Sequence, residues 1–363
     1  MLQIKQSDLE NIFKTYNRVV LFGAGSITNA LFEAYRELAI EEKIDYIIDN
    51  DPTKDGKTIQ ANGKDIRLIS IERFSRLDYR DYALLIVPVF MLDIVKQIDR
   101  CETFDNVPTY IHALLLNKSA GEKLTFRYTK EMKIPKIIHY CWFGKNPLPD
   151  TYKKNIESWR KYCPDYEIVE WNENNYDVKK NRFMRQAYEK KQWEFVSDYA
   201  RKDIVYQSGG VYFDTDVEVK SSIDELLYNE FFIGCDDIGN IASGAGFGAV
   251  KGNEFVKALR DDYDHHTFID SEGKVTGKVC GIYETAFLVR YGYKPNNRFQ
   301  RLFDGSVVLP REVLCPISWI GMPDMYTDNT LTVHKYDDLL IDKSRKEEYE
   351  DLLKRANKNI LVG

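Results

Sequence analysis

A basic surplus, paired cysteines and a long apolar run are all missing from this 363-residue chain. Lys and Arg number 51 against 57 Asp and Glu, a formal net charge of −6. Nucleic-acid binding ordinarily rests on a basic face, so no nucleic-acid partner is expected, although the balance leaves room for a local basic groove. The six cysteines contain no CxxC pair and form no zinc-finger spacing with the five histidines. A structural zinc site and a disulfide framework are therefore not expected, and single buried thiols in a reducing compartment are. The longest apolar run, Tyr82 to Leu92, is broken by Pro88 and stops at Asp93. That falls far short of the ~20 residues of a membrane span. Met1 to Asp8 lack the apolar core of a signal peptide, so the expected location is the cytoplasm.

The chain does have a globular composition, 44% hydrophobic and 30% charged. At roughly 150 residues per domain, two domains are expected. The 24 Tyr and 19 Phe suit a packed core. They are also the side chains that stack on sugar rings and bases.

The first third alternates strands and helices. Arg18-Val-Val-Leu-Phe22 and Ala83-Leu-Leu-Ile-Val87 read as strands buried on both faces, and Tyr46-Ile-Ile-Asp49 as a third. This rhythm predicts a small Rossmann-like α/β domain over residues 1–118. Residues 119–132, with Lys118-Ser-Ala-Gly-Glu-Lys at their start, lack apolar period and read as a linker. A second domain is expected over 133–363. Its strand opens at Ile134, a helix covers Thr151 to Tyr162, and a strand covers Tyr166 to Trp171. A helix from Glu194 to Ser208 carries Val196, Ala200 and Ile204 on one face and stops at Gly209-Gly210. A further strand is expected from Val211 to Val219. The charged tail from Lys343 to Lys358 reads as a solvated surface helix.

Gly23-Ala-Gly25-Ser26 follows a strand and opens a helix, the setting in which backbone N–H groups can hold a phosphate. Asp49 ends the next strand, where a ribose-binding acid would sit. A nicotinamide-dependent enzyme acting on nucleotide sugars is thus an alternative. Position 28 is Thr rather than the third Gly of the fingerprint, and two glycines also serve a tight turn. The preferred reading makes this domain an accessory binding or assembly module. A chain starting near Lys130 is then expected to keep donor hydrolysis, with acceptor transfer or oligomerisation open to loss.

The central segment is Ser197-Asp198-Tyr-Ala-Arg201, then Gly209-Gly-Val-Tyr212-Phe-Asp214-Thr-Asp216-Val-Glu218. On one continuous strand, period 2 puts Val211, Phe213, Thr215, Val217 and Val219 on a buried face and Tyr212, Asp214, Asp216 and Glu218 on the other. Same-face acids repel unless a cation screens them, and carboxylate oxygens suit Mg²⁺ or Mn²⁺. Such an ion would neutralise a departing nucleoside diphosphate. Asp198 and Arg201, three apart on a helix, read as a clamp in which the acid accepts sugar hydroxyls and the arginine positions it or a phosphate.

Ile134-Pro-Lys-Ile-Ile-His-Tyr-Cys-Trp-Phe-Gly144, Trp159, Pro164-Asp-Tyr166, Trp171, Ser197-Asp198-xx-Arg201 and Gly209-Gly-Val-Tyr-Phe-Asp-Thr-Asp216 follow in order. This series resembles the DxD-containing glycosyltransferases of family 32, the group of yeast mannosyltransferases and bacterial capsule enzymes. The large clostridial glucosylating toxins share the pattern more distantly. The resemblance implies a GT-A fold, a Rossmann-like catalytic half with a DxD metal site, and a retaining hexosyltransferase. It implies that Asp214 and Asp216 serve the metal and donor, with Tyr212 close by, and that Ser197, Asp198 and Arg201 hold the transferred sugar. Trp142 would flank the base. The late histidine of such enzymes would be His334, a metal ligand that suits Mn²⁺ better than Mg²⁺. Here Lys335, Tyr336 and Asp337 depart from the usual continuation. The implied partners are a nucleotide-sugar donor, UDP-linked in preference to GDP-linked, and a surface-polysaccharide or lipid-linked glycan acceptor. A lipid-linked acceptor would put the enzyme at the inner membrane face. The sequence leaves homo-oligomerisation open.

Overall fold

A computed structural model describes residues 2–77, 81–337 and 345–358. It is a mixed α/β structure with two seven-stranded sheets and one two-stranded sheet. The first sheet runs, edge to edge, through Gln3–Ile4, Pro108–Ile111, Tyr82–Ile86, Arg18–Phe22, Ile44–Ile48, Lys64–Ile69 and Thr58–Ala61. All neighbours are parallel except the last pair. Its central strands are apolar on both sides because both faces carry a core.

The second sheet is mixed. Its order is Gln300–Arg301, Ser306–Leu309, Phe231–Gly234, Phe247–Ala249, Gly210–Tyr212, Ile137–Cys141 and Glu167–Trp171. His139 is buried in it and satisfied, with Nε2 2.8 Å from Gly209 O and Nδ1 accepting the Trp171 indole N–H at 3.2 Å.

The strand expected from Val211 to Val219 is two strands in two sheets. The first ends at Tyr212. Val217 N–H then closes a turn onto Asp214 O at 3.0 Å, and Val217–Val219 pairs antiparallel with Thr332–His334. The face assignment fails accordingly: Tyr212 is buried beside Phe247, and Thr215 is half-exposed.

The two sheets are tied together. Helix Ser26–Ala34, which leaves the first sheet after Gly25, packs its Ala30 and Ala34 into the core that helix Cys280–Val289 joins. Asn297 donates to Leu116 O at 2.8 Å. The segment expected as a linker is pinned along the second sheet, with Phe126 buried and Leu124 N–H donating to Asn329 Oδ1 at 2.9 Å. Removing residues 1–118 would therefore strip the cover from a core helix.

The C-terminal helix also departs from expectation. Lys346–Lys358 lays Tyr349, Leu352 and Ala356 into the core of the first sheet, and Arg355 makes a two-pronged contact to Asp99 at 2.9 and 3.0 Å. Its charged residues conceal an apolar stripe at spacings of three and four. Lys343 and Ser344 of the expected helix lie outside the described residues. No helix among the described residues is long and apolar enough to cross a membrane. The buried stripe is testable: Leu352→Ala should lower unfolding free energy by about 2–4 kcal/mol in chemical denaturation. A loss under about 0.5 kcal/mol would mean the helix does not pack there.

Candidate active site

The site is assembled from a helix, a turn and a late strand. Helix Trp193–Ser208 turns Ser197, Asp198, Arg201 and Lys202 into the protein, all of them buried. Arg201 is its centre. One terminal nitrogen lies 2.9 Å from Asp198 Oδ1, 2.9 Å from Ser197 Oγ and 3.5 Å from Asp214 Oδ1. The other donates to Ser243 Oγ at 3.3 Å, Nε donates to Ser197 O at 3.1 Å, and the group lies over the Tyr212 ring. The Tyr212 hydroxyl donates to Asp214 Oδ1 at 2.8 Å. Burial pushes the pKa of the Asp198 carboxyl up to about 6, against the pull of Arg201 and Lys202.

The turn after Tyr212 brings the two aspartates together. Along an extended strand, side chains two apart stand about 6.6 Å from one another. Here the turn and the Val217–His334 register bring one ligand atom each from Asp214, Asp216 and His334 within 4.8 Å of one another. Helix Asp150–Tyr162 holds that turn from behind. Asn155 donates to Thr215 O, the Trp159 indole N–H donates to Val217 O, both at 2.8 Å, and Ser158 Oγ accepts from Val219 N at 2.9 Å. These three residues share one helix face.

His334 Nε2 lies 3.1 Å from Asp216 Oδ1, and Asp337 N–H donates to Asp216 Oδ2. Burial pushes the Asp216 carboxyl up, but the His334 charge and these hydrogen bonds outweigh it and hold the group below the usual carboxylate range. His334 is held above its ordinary value by the same pair, against its burial. His334 Nδ1 is buried without a hydrogen-bond partner among the described residues. Two carboxylates and an imidazole fit a divalent cation, Mn²⁺ better than Mg²⁺. Asp214, Asp216 and His334 would hold it, and Asp214 remains partly open to solvent. Glu218 stands apart, paired with Lys220 and Lys335 at 2.6 and 3.1 Å.

Two further residues belong to the site: Gly244, from the glycine-rich stretch Ser243-Gly-Ala-Gly-Phe-Gly248 that the sequence offers as a close-lying wall or a plain loop, and Glu284, which has no sign in the sequence. The Gly244 Cα approaches Asp214 so closely that a Cβ would lie 2.1 Å from Asp214 Oδ2. Gly244 O also accepts the Asp214 N–H at 3.0 Å. Glu284 accepts from Ser243 Oγ and lies 2.6 Å from Lys202 Nζ. No local motif announces a pair separated by that much chain. Trp142 stands at the exit of strand Ile137–Cys141, half-buried, with its indole N–H on Asn146 O and its ring edge-on to Tyr152. Neither of those contacts reaches the Arg201 cluster.

The glycine-rich turn of the first sheet does not offer the dinucleotide arrangement. Asp49 Oδ2 accepts from Ala24 N and Lys54 at 2.9 Å, and Oδ1 accepts from Asp51 N. The acid is spent on the turn itself. Gly23 (φ +104°) is required because a Cβ would meet Pro88 at 2.3 Å.

Residues 149–233 match the family model described as a glycosyltransferase sugar-binding region containing a DXD motif. That segment is a family-32-like glycosyltransferase region. The glycosyltransferase match takes in Asp198, Arg201, Tyr212, Asp214 and Asp216, and leaves Trp142, Ser243, Glu284 and His334 outside. The chain is 33% identical over 112 residues to inositol phosphoceramide mannosyltransferase 1 of Schizosaccharomyces pombe, covering 28% of this chain and 34% of that protein. It is 28% identical over 155 residues to inositol phosphoceramide mannosyltransferase 3 of the same yeast, covering 40% and 38%. The chain thus spans little more than a third of the length of these two relatives. Among solved structures, PaToxG glycosyltransferase is similar at 18% identity and a TM-score of 0.33, over 43% of this chain and 68% of that one.

The close approach of Gly244 gives a test of the metal geometry. Gly244→Ala should push the Asp214 carboxylate aside and weaken Mn²⁺ binding at least about tenfold, a loss of about 1.4 kcal/mol, while the protein stays folded. Calorimetric Mn²⁺ titration checks this, and unchanged affinity would separate Asp214 from the cation site.

Proposed function

We propose that this protein is a divalent-metal-dependent glycosyltransferase of GT-A type that moves a hexose from a nucleotide sugar to a hydroxyl of a glycan or glycolipid, with retention at the anomeric carbon. One observation carries the reading. Asp214, Asp216 and His334 converge beside the buried Asp198–Arg201 pair, inside and just beyond the matched sugar-binding region. A bound Mn²⁺ or Mg²⁺ would supply charge neutralisation for the departing diphosphate.

The protein's own residues do the rest. Arg201 is locked by Ser197, Asp198, Asp214 and Ser243, so its charge is fixed before any donor arrives. Asp198, an acceptor when ionised, orients sugar hydroxyls. Tyr212 holds the Asp214 carboxylate by its hydroxyl. Attack on the face from which the diphosphate leaves needs no separate strong base, because a leaving phosphate oxygen takes the acceptor proton.

The donor base is set by contacts outside this cluster, with Trp142 as the base-flanking candidate. UDP-sugars remain the first choice on resemblance. The names of the two yeast relatives add mannose, and with it GDP-linked donors, to the same screen. An inositol-bearing or other lipid-linked glycan is a fitting acceptor, and a cytoplasmic enzyme would meet it at the inner face of a membrane.

A thermal-shift screen of UDP- and GDP-sugars with and without Mn²⁺ tests the reading. One donor class should raise the melting temperature only with Mn²⁺, and Asp216→Ala should lose both that shift and metal-dependent donor hydrolysis. Full metal-dependent hydrolysis by Asp216→Ala would sink the assignment. A pH dependence comes from Asp198. Its carboxyl titrates at about 6, so the ionised acceptor is present above that pH and is lost as pH falls through it. Donor affinity should then fall about tenfold per unit below about pH 6. A donor affinity that stays level as pH is lowered through that value would remove Asp198 from sugar binding.

A further inference from the structure

Behind Arg201 lies a chain of buried groups that the sugar-binding reading does not use. Lys202 and Glu284 are each 1% exposed and face one another at 2.6 Å. Two charges wholly withdrawn from water are a weak source of stability, and apolar side chains of similar volume would serve packing as well. Their contacts lead into the site. Lys202 Nζ also donates to Asp198 O at 2.7 Å. Glu284 Oε1 accepts from Ser243 Oγ at 2.6 Å, and Oε2 lies 3.3 Å from Ser243 N. Ser243 Oγ accepts in turn from Arg201 Nη1 at 3.3 Å.

We propose that Glu284 is a positioning residue for Arg201, acting through the Ser243 hydroxyl, and that helix Ser26–Ala34 of the first sheet braces the helix that carries it. The proposal rests on the glycosyltransferase reading for its consequence in catalysis, but not for its geometry. An ionised carboxylate only accepts hydrogen bonds, so Glu284 draws the Ser243 proton toward itself. The serine lone pairs then face Arg201, and the guanidinium has an acceptor on the side away from Asp198. An amide at 284 can donate to Ser243 instead. The hydroxyl would then turn its proton toward the guanidinium, and Arg201 would lose that acceptor. Lys202 enforces the polarity by holding the same Glu284 oxygen, Oε1, that accepts from Ser243.

The same segment reaches Asp214. Gly244 follows Ser243, lies against Asp214 Oδ2 and accepts the Asp214 N–H. Glu284 therefore fixes a stretch of backbone that touches both the arginine and the DxD turn. Helix Cys280–Val289 is itself held by Ala30 and Ala34 of helix Ser26–Ala34, which gives the first sheet a mechanical part in the site without a ligand of its own.

Ser243→Ala is the decisive variant, because it removes the link without stranding a charge. Glu284→Gln is the second, and leaves Lys202 without its buried partner. With Mn²⁺ and the nucleotide sugar that the unaltered enzyme hydrolyses, Ser243→Ala should lower kcat about 10- to 100-fold. Its Mn²⁺ affinity should stay within about threefold and its melting temperature nearly unchanged. The double variant should lose no more than the worse single one, since both act through the same arginine. Crystal structures give a readout that needs no substrate. The unaltered protein should keep Arg201 beside Asp214, and Ser243→Ala should show the guanidinium turned away. An unaltered enzyme that hydrolyses no nucleotide sugar would count against the glycosyltransferase reading alone. An undisplaced Arg201 in Ser243→Ala, or multiplicative losses in the double variant, would overturn the positioning role.

Discussion

Like charges crowded into one buried place have to be neutralised, and Arg201 is what neutralises them here. Asp198 comes from a helix and Asp214 from a turn, and Glu284 stands one hydrogen bond further back. A fixed cation between Asp198 and Asp214 offsets their repulsion, while the turn that carries Asp214 and Asp216 is held separately by helix Asp150–Tyr162. The guanidinium suits this task because its donors are planar and rigid and its charge persists at any working pH. On the far side of the turn the same problem recurs between Asp214 and Asp216, where His334 answers Asp216 with a charge that is lost when it deprotonates. A permanent cation on one side and a titratable one on the other leave a place where a divalent ion can replace the proton.

The scaffold around this arrangement is built for rigidity. The DxD turn is held from behind by three hydrogen bonds from one helix, and from in front by the Gly244 backbone. Pre-set donors lose little on binding a charged ligand, since they need not reorganise. The first sheet contributes from a distance. Its helix Ser26–Ala34 packs where Cys280–Val289 is also held, and its core is closed by the C-terminal helix. The chain thus returns at its end to the sheet with which it began.

Much of this is legible in the sequence, and the departures have physical causes. Strands Arg18–Phe22 and Tyr82–Ile86 are readable because burial on both faces leaves little room for polar residues. The helix Trp193–Ser208 is readable from Val196, Ala200 and Ile204, and the Asp198–Arg201 contact from their spacing. The break after Tyr212 is not readable. Phe213, Val217 and Val219 are apolar and buried whether the backbone continues straight or turns, so alternation cannot tell the two apart. The aspartates read as one face of a strand and work through a turn. The tail helix misleads because Lys and Glu outnumber its few apolar residues, although Tyr349, Leu352 and Ala356 set the face that it buries. Glu284 and Lys202 lie beyond any local pattern, because each looks like a surface charge until the fold buries it.

Whether Asp214, Asp216 and His334 together hold a divalent ion is most directly measured by anomalous scattering. Crystals would be soaked with Mn²⁺ alone and, separately, with Mn²⁺ and UDP or GDP. One anomalous peak is expected within bonding distance of all three side chains, with diphosphate oxygens completing its coordination. A peak elsewhere, or nucleotide bound with no ion among these three residues, would contradict a metal-assisted sugar transfer at this site.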